Sequence, residues 1–453
     1  MRKNEQDPRY TESSQMQSRI NQPLSGFQDI WGQRMIQRER IMGTVIESFR
    51  LFGFQPQVLP SLHLSESLEK GSGMEQKMIY NFRDHGDRHV ALRFDHTVPL
   101  RDFVEGNYSK LTLPYRRYEV GNVWRADRPA KGRYREFAQM DADTIGDSSV
   151  QADIEAILLV DNIMRGIGVD ATIRINSREI LSGLIDVNGL NENEGIGLLR
   201  VIDKFDKVDL QGVTKELQDL GFNATVISSV GKYLSIQGSN DEVFDQLGNQ
   251  IGSSERAKQG LDRLAKVFQV IKDSGYESGR FRLDPSIARG LDYYTGLIAE
   301  TTFNPDPSYG SICSGGRYDH FIKKPDGGFI PAIGISIGID RLLAAMESKN
   351  LLPDVKTNTR VTIVNFGDNM LSQYLKLAGV LRTASIPTEI NPSGVRLNRQ
   401  MREISKKGIL YSILLGSDEV NKGVVKIKNM ETFEQEEIPL DQLTEFLKQR
   451  NEE

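Results

Sequence analysis

The sequence predicts an α+β protein, in which an antiparallel sheet flanked by helices is followed by a smaller α/β domain. Charged amphipathic helices dominate residues 184–275 and indicate a helical insertion into the larger part. Beyond residue 360, strands alternate with helices, which is typical of a mostly parallel sheet covered on both faces. Short connections, as in an antiparallel sheet, join four earlier strand-like runs, at residues 77–83, 88–94, 115–126 and 134–145.

The remaining elements follow from apolar spacing and from stop signals. Apolar residues at helical spacing predict a helix over 33–53, which Gly53 ends. The segment SICSGGRYD (311–319) is interpreted as a glycine-rich turn. The segment PAIGISIGIDRLLAAM (331–346) is interpreted as a buried strand that runs into a helix. A further helix is predicted at 150–166 and a further strand at 171–177.

These patterns predict an N-terminal arm, a large domain with an insertion, a linker and a C-terminal domain. We expect their bounds to be 1–20 for the flexible arm, 21–349 for the large domain with its insertion at about 185–265, 350–360 for the linker and 361–453 for the last domain.

Composition excludes several classes of protein. With 38% hydrophobic and 26% charged residues, the chain has the balance of a soluble globular protein, and no apolar run approaches the roughly 20 residues of a membrane helix. The single cysteine, Cys313, excludes an intrachain disulfide and fits the reducing cytoplasm, where we expect the protein to act. The net charge of −5 gives no general attraction to nucleic acid, although a local basic patch can still bind RNA.

The segment RADRPAKGRYREFAQMDAD (125–143) places many opposite charges on a predicted β-hairpin. Because alternate side chains of a strand share a face, one face is expected to carry Arg133, Arg135, Phe137, Gln139, Asp141 and Asp143. A solvated hairpin with weak surface ion pairs is one interpretation. The order of cations, ring, amide and carboxylates favours another, a surface for a ligand with a phosphate, a flat ring and a cationic group.

Six segments resemble, in order, motifs of class II aminoacyl-tRNA synthetases in the form carried by the histidyl-tRNA synthetase family. The hairpin resembles motif 2, and PAIGISIGIDRL (331–342) resembles motif 3. FGFQPQVLPSL is similar to motif 1, and LRFDHTVPL to the strand that binds the amino acid. ARGLDYYTG (288–296) and SICSGGRYD resemble the two histidine-specific peptides. The resemblance covers nearly the whole chain and implies a class II sheet, with an anticodon-binding domain at the C-terminus.

The resemblance implies that ATP, entering with Mg²⁺, activates histidine for transfer to the 3′ end of a histidine-specific tRNA. Arg125 and Arg289 match the catalytic arginines, which contact the α-phosphate and the substrate carboxylate. Arg133 and Arg341 match further phosphate contacts, and Phe137 would stack on adenine opposite Arg341. No metal site formed by protein side chains is predicted, since the spacing of His85 and His89 means little on a hairpin.

The resemblance also implies the residues that bind histidine and tRNA. Asp95, Thr97 and Gln139 match acceptors for the α-ammonium group. Asp143 and Tyr294 match the groups that bind the imidazole, with Tyr293 adjacent. The residues expected to contact tRNA are Arg128 and Lys131 at the hairpin tip and Arg396, Arg399 and Arg402 in the last domain.

Motif 1 implies a homodimer, and other functions remain open on the sequence. One alternative is a non-catalytic, histidine-binding paralogue that serves as the regulatory subunit of ATP phosphoribosyltransferase. Such subunits usually lack the last domain and the ATP-binding arginines, whereas Arg125, Arg289 and Arg341 are present here. A tRNA-sensing module of a larger regulator is a third possibility, but no kinase segment is attached.

Overall fold

The computed structural model describes residues 22–70, 76–276, 278–290 and 293–450. The predicted arm at 1–20 lies outside these residues. The described chain divides into two compact units, one of residues 22–29 with 41–351 and the other of residues 30–40 with 352–450.

The elements up to residue 348 form the larger part of the chain. In chain order they are α1 (Gly32–Leu51), β1 (Gln55–Gln57), β2 (Leu62–Leu64), α2 (Ser65–Glu69), β3 (Asn81–Arg83), β4 (His89–Leu92), α3 (Thr97–Asn107), β5 (Tyr115–Trp124), β6 (Glu136–Ile145), α4 (Val150–Ile167), β7 (Ala171–Ser177), α5 (Arg178–Val187), α6 (Glu192–Ile202), α7 (Phe205–Asp219), α8 (Ala224–Leu234), α9 (Asn240–Ile251), α10 (Glu255–Asp273), β8 (Phe281–Leu283), β9 (Leu297–Phe303), β10 (Ser311–Arg317), β11 (Ile322–Lys323), β12 (Phe329–Ile330), β13 (Ala332–Gly338) and α11 (Ile339–Ser348).

The elements after residue 360 form an α/β sandwich. They are β14 (Val361–Ile363), α12 (Leu371–Thr383), β15 (Thr388–Ile390), α13 (Leu397–Lys407), β16 (Tyr411–Leu414), α14 (Ser417–Lys422), β17 (Val424–Asn429), β18 (Gln435–Pro439) and α15 (Leu443–Gln449).

An eight-stranded sheet in the order β1-β5-β6-β13-β10-β9-β7-β8 forms the centre of the larger unit. Only the two edge pairs, β1 with β5 and β7 with β8, are parallel, so the predicted antiparallel sheet is confirmed. One face of β6 is apolar and buried through Ala138, Met140 and Ala142. The opposite face of β6 therefore carries the polar side chains of the hairpin.

The glycine-rich segment 311–319 is largely a strand, so its interpretation as a turn is wrong. Residues 311–317 form β10, between β13 and β9 in the sheet. A side chain on Gly315 would place its Cβ 2.3 Å from the carbonyl oxygen of Gly334 on the neighbouring strand. The glycines therefore permit a close approach of strands. From the sequence alone, glycines in such a strand look the same as glycines in a turn.

The hairpin also departs from the predicted alternation at its tip. Strand β6 begins at Glu136, so Arg133 and Arg135 precede the strand and lie outside its alternation. The Arg135 guanidinium instead donates to the carbonyl oxygen of Asp127 at 3.1 Å, and its amide donates to that of Gly26 at 2.8 Å. Since Pro129 and Gly132 occupy the tip, the residues beside it leave the regular pleat.

The helical insertion is present as helices α6 to α10, which extend from residue 192 to residue 273. Helix α10 packs closely against α5, where a Cβ on Gly183 would lie 2.3 Å from the Cβ of Ala257. Four of the insertion helices begin with a side-chain cap, at Asn191, Asn223, Ser239 and Ser254.

The second unit contains a five-stranded sheet in the order β15-β14-β16-β17-β18. The first three strands are parallel and the last two pair antiparallel, so the sheet is mixed rather than mostly parallel. Strand β18 was not predicted, because its polar sequence QEEIP has no buried face and pairs as an exposed edge. In the part of the chain that the structure describes, no helix is long and apolar enough to cross a membrane.

Candidate active site

Asp143 lies at the centre of a buried polar pocket on the face of β6. Its Oδ2 lies 2.8 Å from Arg117 Nη2 on β5, and its Oδ1 accepts a hydrogen bond of 2.5 Å from the Tyr318 hydroxyl. A Cβ on Gly334 of β13 would lie 2.0 Å from Asp143 Oδ1, so only glycine leaves space for this carboxylate. Burial raises the pKa of Asp143 to about 6, against the opposing attraction of Arg117.

A second carboxylate, Asp141, lies two residues away on the same face. Its Oδ1 accepts a hydrogen bond of 2.5 Å from Ser336 Oγ, which itself accepts one of 2.5 Å from Gln139 Nε2. Its Oδ2 lies 3.4 Å from Nδ1 of the buried His96. Burial favours the neutral acid, but His96 and Ser336 prevail and lower the pKa of Asp141. The carbonyl Oε1 of Gln139 is buried without a hydrogen-bond partner among the described residues, which leaves an acceptor for a ligand.

Asp95 and Thr97 lie at the start of α3, beside this pocket. Asp95 Oδ1 accepts a hydrogen bond of 3.0 Å from the amide of Val98. Burial raises the pKa of Asp95, and the neighbouring charges include Arg125, which lowers the pKa, and Asp141, which raises it. Thr97 is the first residue of the helix. Through Asp95, this short segment interacts electrostatically both with Asp141 in the carboxylate pocket and with Arg125.

Two tyrosines line the pocket from the segment before β9. The rings of Tyr293 and Tyr294 lie 4.6 Å apart, edge to face. Tyr294 packs on the backbone of Gly290, where a Cβ would lie 1.9 Å from the ring and where φ is +65°. Burial raises the pKa of Tyr293 to about 12 and that of Tyr294 well above its ordinary value, so both phenols are neutral donors at neutral pH.

Four arginines form a cationic cluster next to the pocket. Arg341, in the first turn of α11, is largely buried, and its Nη1 donates to the carbonyl oxygen of Ser311 at 2.8 Å. Burial lowers the pKa of Arg341, and the positive charges of Arg133, Arg289 and Arg125 lower it further. Like charges held this close together favour binding of an anion.

Arg125 and Phe137 are neighbours across the hairpin. Arg125 Nε donates to the carbonyl oxygen of Phe94 at 2.9 Å, and its guanidinium lies 5.4 Å from the centroid of the Phe137 ring. Arg125 therefore contacts the Phe137 ring, on which adenine would stack according to the resemblance. Arg133 Nε lies 3.2 Å from Asp127 Oδ2, and the Arg133 side chain is half exposed near the tip of the same hairpin.

Arg289 is held by its Nε edge. The Nε lies 2.5 Å from Glu300 Oε1 on β9 and 3.6 Å from Asp203 Oδ1 of the insertion. Glu300 is buried, and its burial raises its pKa in spite of Arg289 and Arg174. Among the described residues, the Arg289 guanidinium donates no hydrogen bond, and the side chain is 41% exposed. The terminal guanidinium therefore remains available for an anion.

The residues expected to contact tRNA lie on the surface. Arg128 is exposed at the hairpin tip, and Lys131 Nζ lies 4.3 Å from the centroid of the Tyr309 ring. In the second unit, Arg396 precedes α13, and Arg399 and Arg402 lie on it. All three of these arginines are exposed, and Arg399 pairs with Glu403 at 3.0 Å.

No group of three or more histidine, cysteine, aspartate or glutamate side chains within residues 22–70, 76–276, 278–290 and 293–450 is placed to hold a metal ion. Cys313 is buried, and burial raises the pKa of its thiol, which keeps it a neutral core residue.

From the sequence, no role was assigned to several residues that line the pocket, namely Arg117, His96, Ser336 and Tyr318, and Asp141 was placed only on the ligand-binding face. The register of the hairpin could have indicated Arg117. Counting back from the tip along both strands places Arg117 opposite Asp143. The other partners come from separate segments, and no local pattern indicates that they meet.

Residues 26–342 match the histidyl-tRNA synthetase family, and residues 360–450 match an anticodon-binding domain. A histidine–tRNA ligase of Rhodopirellula baltica is 40% identical over 92% of this chain and 94% of its own length. The chain belongs to the histidyl-tRNA synthetase family. Membership of this family confirms the fold class and the resemblance described from the motifs.

Solved structures agree with this family fold. The crystal structure of a histidyl-tRNA synthetase from Nostoc sp. PCC 7120 superposes with a TM-score of 0.86 and 29% identity, covering 95% of this chain and 99% of that one. A protein of Bacillus halodurans described as an ATP phosphoribosyltransferase regulatory subunit/histidyl-tRNA synthetase gives a TM-score of 0.73 at 23% identity, covering 85% of this chain and 96% of that one. At that identity the second similarity shows the fold alone.

Proposed function

We propose that this chain activates histidine with ATP and transfers it to the 3′ end of a histidine-specific tRNA. The observation that carries the proposal is Arg125, which belongs to the cationic cluster around Arg341 and also acts on Asp95 beside the carboxylate pocket. Arg125 links the two, since its charge acts on Asp95 and on Tyr293. A triphosphate and a cationic amino acid would thus meet at one place.

In the first step, a carboxylate oxygen of histidine attacks the α-phosphorus of ATP. The bond from that phosphorus to the bridging oxygen breaks, and pyrophosphate leaves with the electron pair. Negative charge develops on the α-phosphate, so fixed cations lower the barrier most. Arg125 and the free end of Arg289 would supply these cations, and Arg341 and Arg133 would hold the β- and γ-phosphates.

The carboxylate pocket suits the imidazole of histidine. Each ring nitrogen requires a partner, and Asp143 as acceptor with Tyr294 as donor would satisfy both nitrogens of the neutral ring. An apolar amino acid would leave these buried groups unpaired, which is a strong basis for rejection. Asp95, Thr97 and the unpaired Oε1 of Gln139 would accept hydrogen bonds from the α-ammonium group.

Mg²⁺ would enter bound to the nucleotide. It commonly binds through phosphate oxygens and one or two carboxylates rather than through a dedicated set of side chains. The ion would neutralise phosphate charge, while the arginines position the reacting groups.

In the second step, the terminal ribose hydroxyl of tRNA attacks the adenylate carbonyl, and AMP leaves. Arg128 and Lys131, exposed at the hairpin tip, would contact the acceptor end. Arg396, Arg399 and Arg402 would contact phosphates or unpaired bases of the anticodon region.

The large domain, insertion and last domain would keep the bounds predicted from the sequence. The single buried cysteine suits action in the cytoplasm.

A homodimer is part of the proposal. Exposed apolar side chains cluster around the motif 1 segment and the small β2-β4-β3 sheet, namely Val58, Leu62, Leu64 and Phe82. A second copy would cover them. Val58→Asp should shift the sedimentation coefficient to that of a monomer, whereas Leu220→Asp, at the exposed position that follows α7, should leave a dimer. A Val58→Asp variant that sediments as the wild type would contradict this interface.

The function is tested by histidine-dependent exchange of labelled pyrophosphate into ATP, followed by charging of tRNA. We expect exchange with histidine and none with alanine or leucine. The regulatory alternative binds histidine without chemistry, so histidine binding by calorimetry without any exchange would favour it. Retention of Arg125, Arg289 and Arg341 argues against that alternative.

A further inference from the structure

The turn that joins α6 to α7 in the insertion contacts the catalytic face through two carboxylates. Helix α6 ends at Ile202 and α7 begins at Phe205, so the turn carries Asp203 and, in the first turn of the next helix, Asp206. Asp203 Oδ1 lies 3.6 Å from Arg289 Nε. Other parts of the insertion pack on the large domain elsewhere, with α10 against α4 and α5 and α9 against β8. Asp203 is the insertion residue that forms an ion pair with Arg289.

Asp206 anchors the turn to the central sheet. Its Oδ2 accepts a hydrogen bond of 2.8 Å from Arg174 Nη1, and its Oδ1 lies 3.3 Å from Arg174 Nη2. Arg174 is in turn fixed by Asp284, with Nε 2.7 Å from Oδ2, and it is only 16% exposed. Burial opposes the charge of Arg174, but Asp206 and Asp284 prevail and raise its pKa, so it is a permanent cation. This bidentate pair fixes the position of the turn.

The two arginines share one acidic neighbour. Arg174 on β7 lies directly opposite Glu300 on β9, and Glu300 Oε1 lies 2.5 Å from Arg289 Nε. Asp203 and Glu300 therefore both lie within ion-pair distance of Arg289 Nε. These two ion pairs orient the side chain, which donates no hydrogen bond to the described residues.

We propose that Asp203 is a positioning residue for Arg289, and that Asp206 fixes the position of Asp203 by anchoring the insertion to Arg174. The inference rests on the proposed function, since it assigns Arg289 to the α-phosphate. It gives the insertion a role in the first chemical step, in addition to any contact with tRNA. A partly exposed ion pair has a modest effect, so the expected loss is small but specific.

The test is a double-mutant cycle on the full-length protein, read by pyrophosphate exchange. Arg289→Ala should slow exchange at least about 100-fold with histidine affinity nearly intact. Asp203→Asn should lower kcat about three- to fivefold in the wild-type background and have no further effect in the Arg289→Ala background. Asp206→Asn should behave in the same way. Asp203→Glu, which keeps the charge, should restore most of the rate.

Asp219→Asn is the matched control, because Asp219 is an exposed aspartate on the same helix as Asp206. It should leave the rate unchanged. An equal loss for Asp203→Asn in both backgrounds, or no loss in either, overturns the positioning role. Absence of exchange in the wild-type protein would overturn the proposed function instead, so the two failures are distinct.

Discussion

Arg117 and Asp143 lie directly opposite each other on β5 and β6, with 2.8 Å between Nη2 and Oδ2, and both side chains are almost fully buried. Glu119 lies 3.5 Å from the same guanidinium, and Asp141 adds a further negative charge nearby. Burial opposes the charge of Arg117, but Asp143, Asp141 and Glu119 raise its pKa. One cation thus compensates several carboxylates, which makes Arg117 the electrostatic centre of the pocket.

Replacing Arg117 by methionine should destabilise the protein strongly. The substitution keeps the apolar volume but leaves Asp143 buried without its cation, whereas Glu119 keeps its ion pair with Arg93 at 2.5 Å. Breaking a buried pair in this way costs about 3–5 kcal/mol. The free energy of unfolding in urea measures the effect. Arg282→Met, at an exposed position on β8, is the control and should change that energy by less than about 0.5 kcal/mol. A similar small change for Arg117→Met would show that the carboxylates are not held by this cation.

Replacing Asp143 by asparagine should have a different, pH-dependent effect on stability. The folded pKa of about 6 lies above the ordinary value of 3.8, so the stability contributed by Asp143 is present below pH 3.8 and is lost as the pH rises through 6. Asparagine does not titrate. The free energy of unfolding of Asp143→Asn relative to the wild type should therefore increase between pH 4 and pH 6, by at most about 1.4 kcal/mol per pH unit.

The same variant should lose histidine recognition. The amide oxygen of asparagine is a weaker acceptor than an ionised carboxylate, so the KM for histidine in pyrophosphate exchange should increase about tenfold or more. Asp326→Asn, at an exposed position, is the control. A variant that is much less stable than the wild type at pH 7.5, or that keeps the wild-type KM, would contradict this account of Asp143.

Replacing Arg341 by glutamine should separate stability from nucleotide binding. In the free protein, Arg341 is destabilised first by burial and then by Arg133, Arg289 and Arg125, so its loss should lower the melting temperature very little. The rise in melting temperature that a fixed concentration of ATP produces should become clearly smaller, because that rise depends on how tightly ATP binds the folded state. The KM for ATP should increase at least about tenfold. Arg200→Gln, on the exposed surface of α6, is the control and should keep the ATP-induced rise in melting temperature. An equal loss of this rise in both variants would contradict a specific role of Arg341 in ATP binding.

Replacing the arginines of α13 should affect tRNA and leave the first step intact. The triple variant Arg396→Gln, Arg399→Gln, Arg402→Gln removes three exposed cations. It should raise the KM for tRNA in charging, reduce its dependence on salt concentration and leave pyrophosphate exchange unchanged. Lys376→Gln with Lys448→Gln, at exposed positions on α12 and α15, is the control. Unchanged charging by the triple variant would exclude α13 from tRNA binding.

The extent to which the sequence predicted this protein differs between the fold and the site. The antiparallel strands, the helical insertion and the last α/β domain were predictable, because periodicity and stop signals are local properties. The strand at 311–317 was missed, because Gly315 and Gly316 serve a close approach of strands that only the assembled sheet requires. Strand β18 was missed because an exposed edge needs no apolar pattern.

The site was predicted where the chemistry lies in one motif and missed where it depends on assembly. Gln139 and Asp143 were predicted on one face of β6, and they share that face in the structure. Arg135 was assigned to the same face, but it lies before the strand and binds the backbone near Gly26. Ser336 and Tyr318 come from distant segments, so their contacts with Asp141 and Asp143 depend on the sheet order.

The most direct test of the central claim is a crystal structure with histidine and a non-hydrolysable ATP analogue. We expect the Asp143 carboxylate and the Tyr294 hydroxyl within about 3.2 Å of the two imidazole nitrogens. Arg125 and the terminal nitrogens of Arg289 should lie at a similar distance from the α-phosphate oxygens. An imidazole bound elsewhere, or α-phosphate oxygens that neither arginine contacts, would contradict the account.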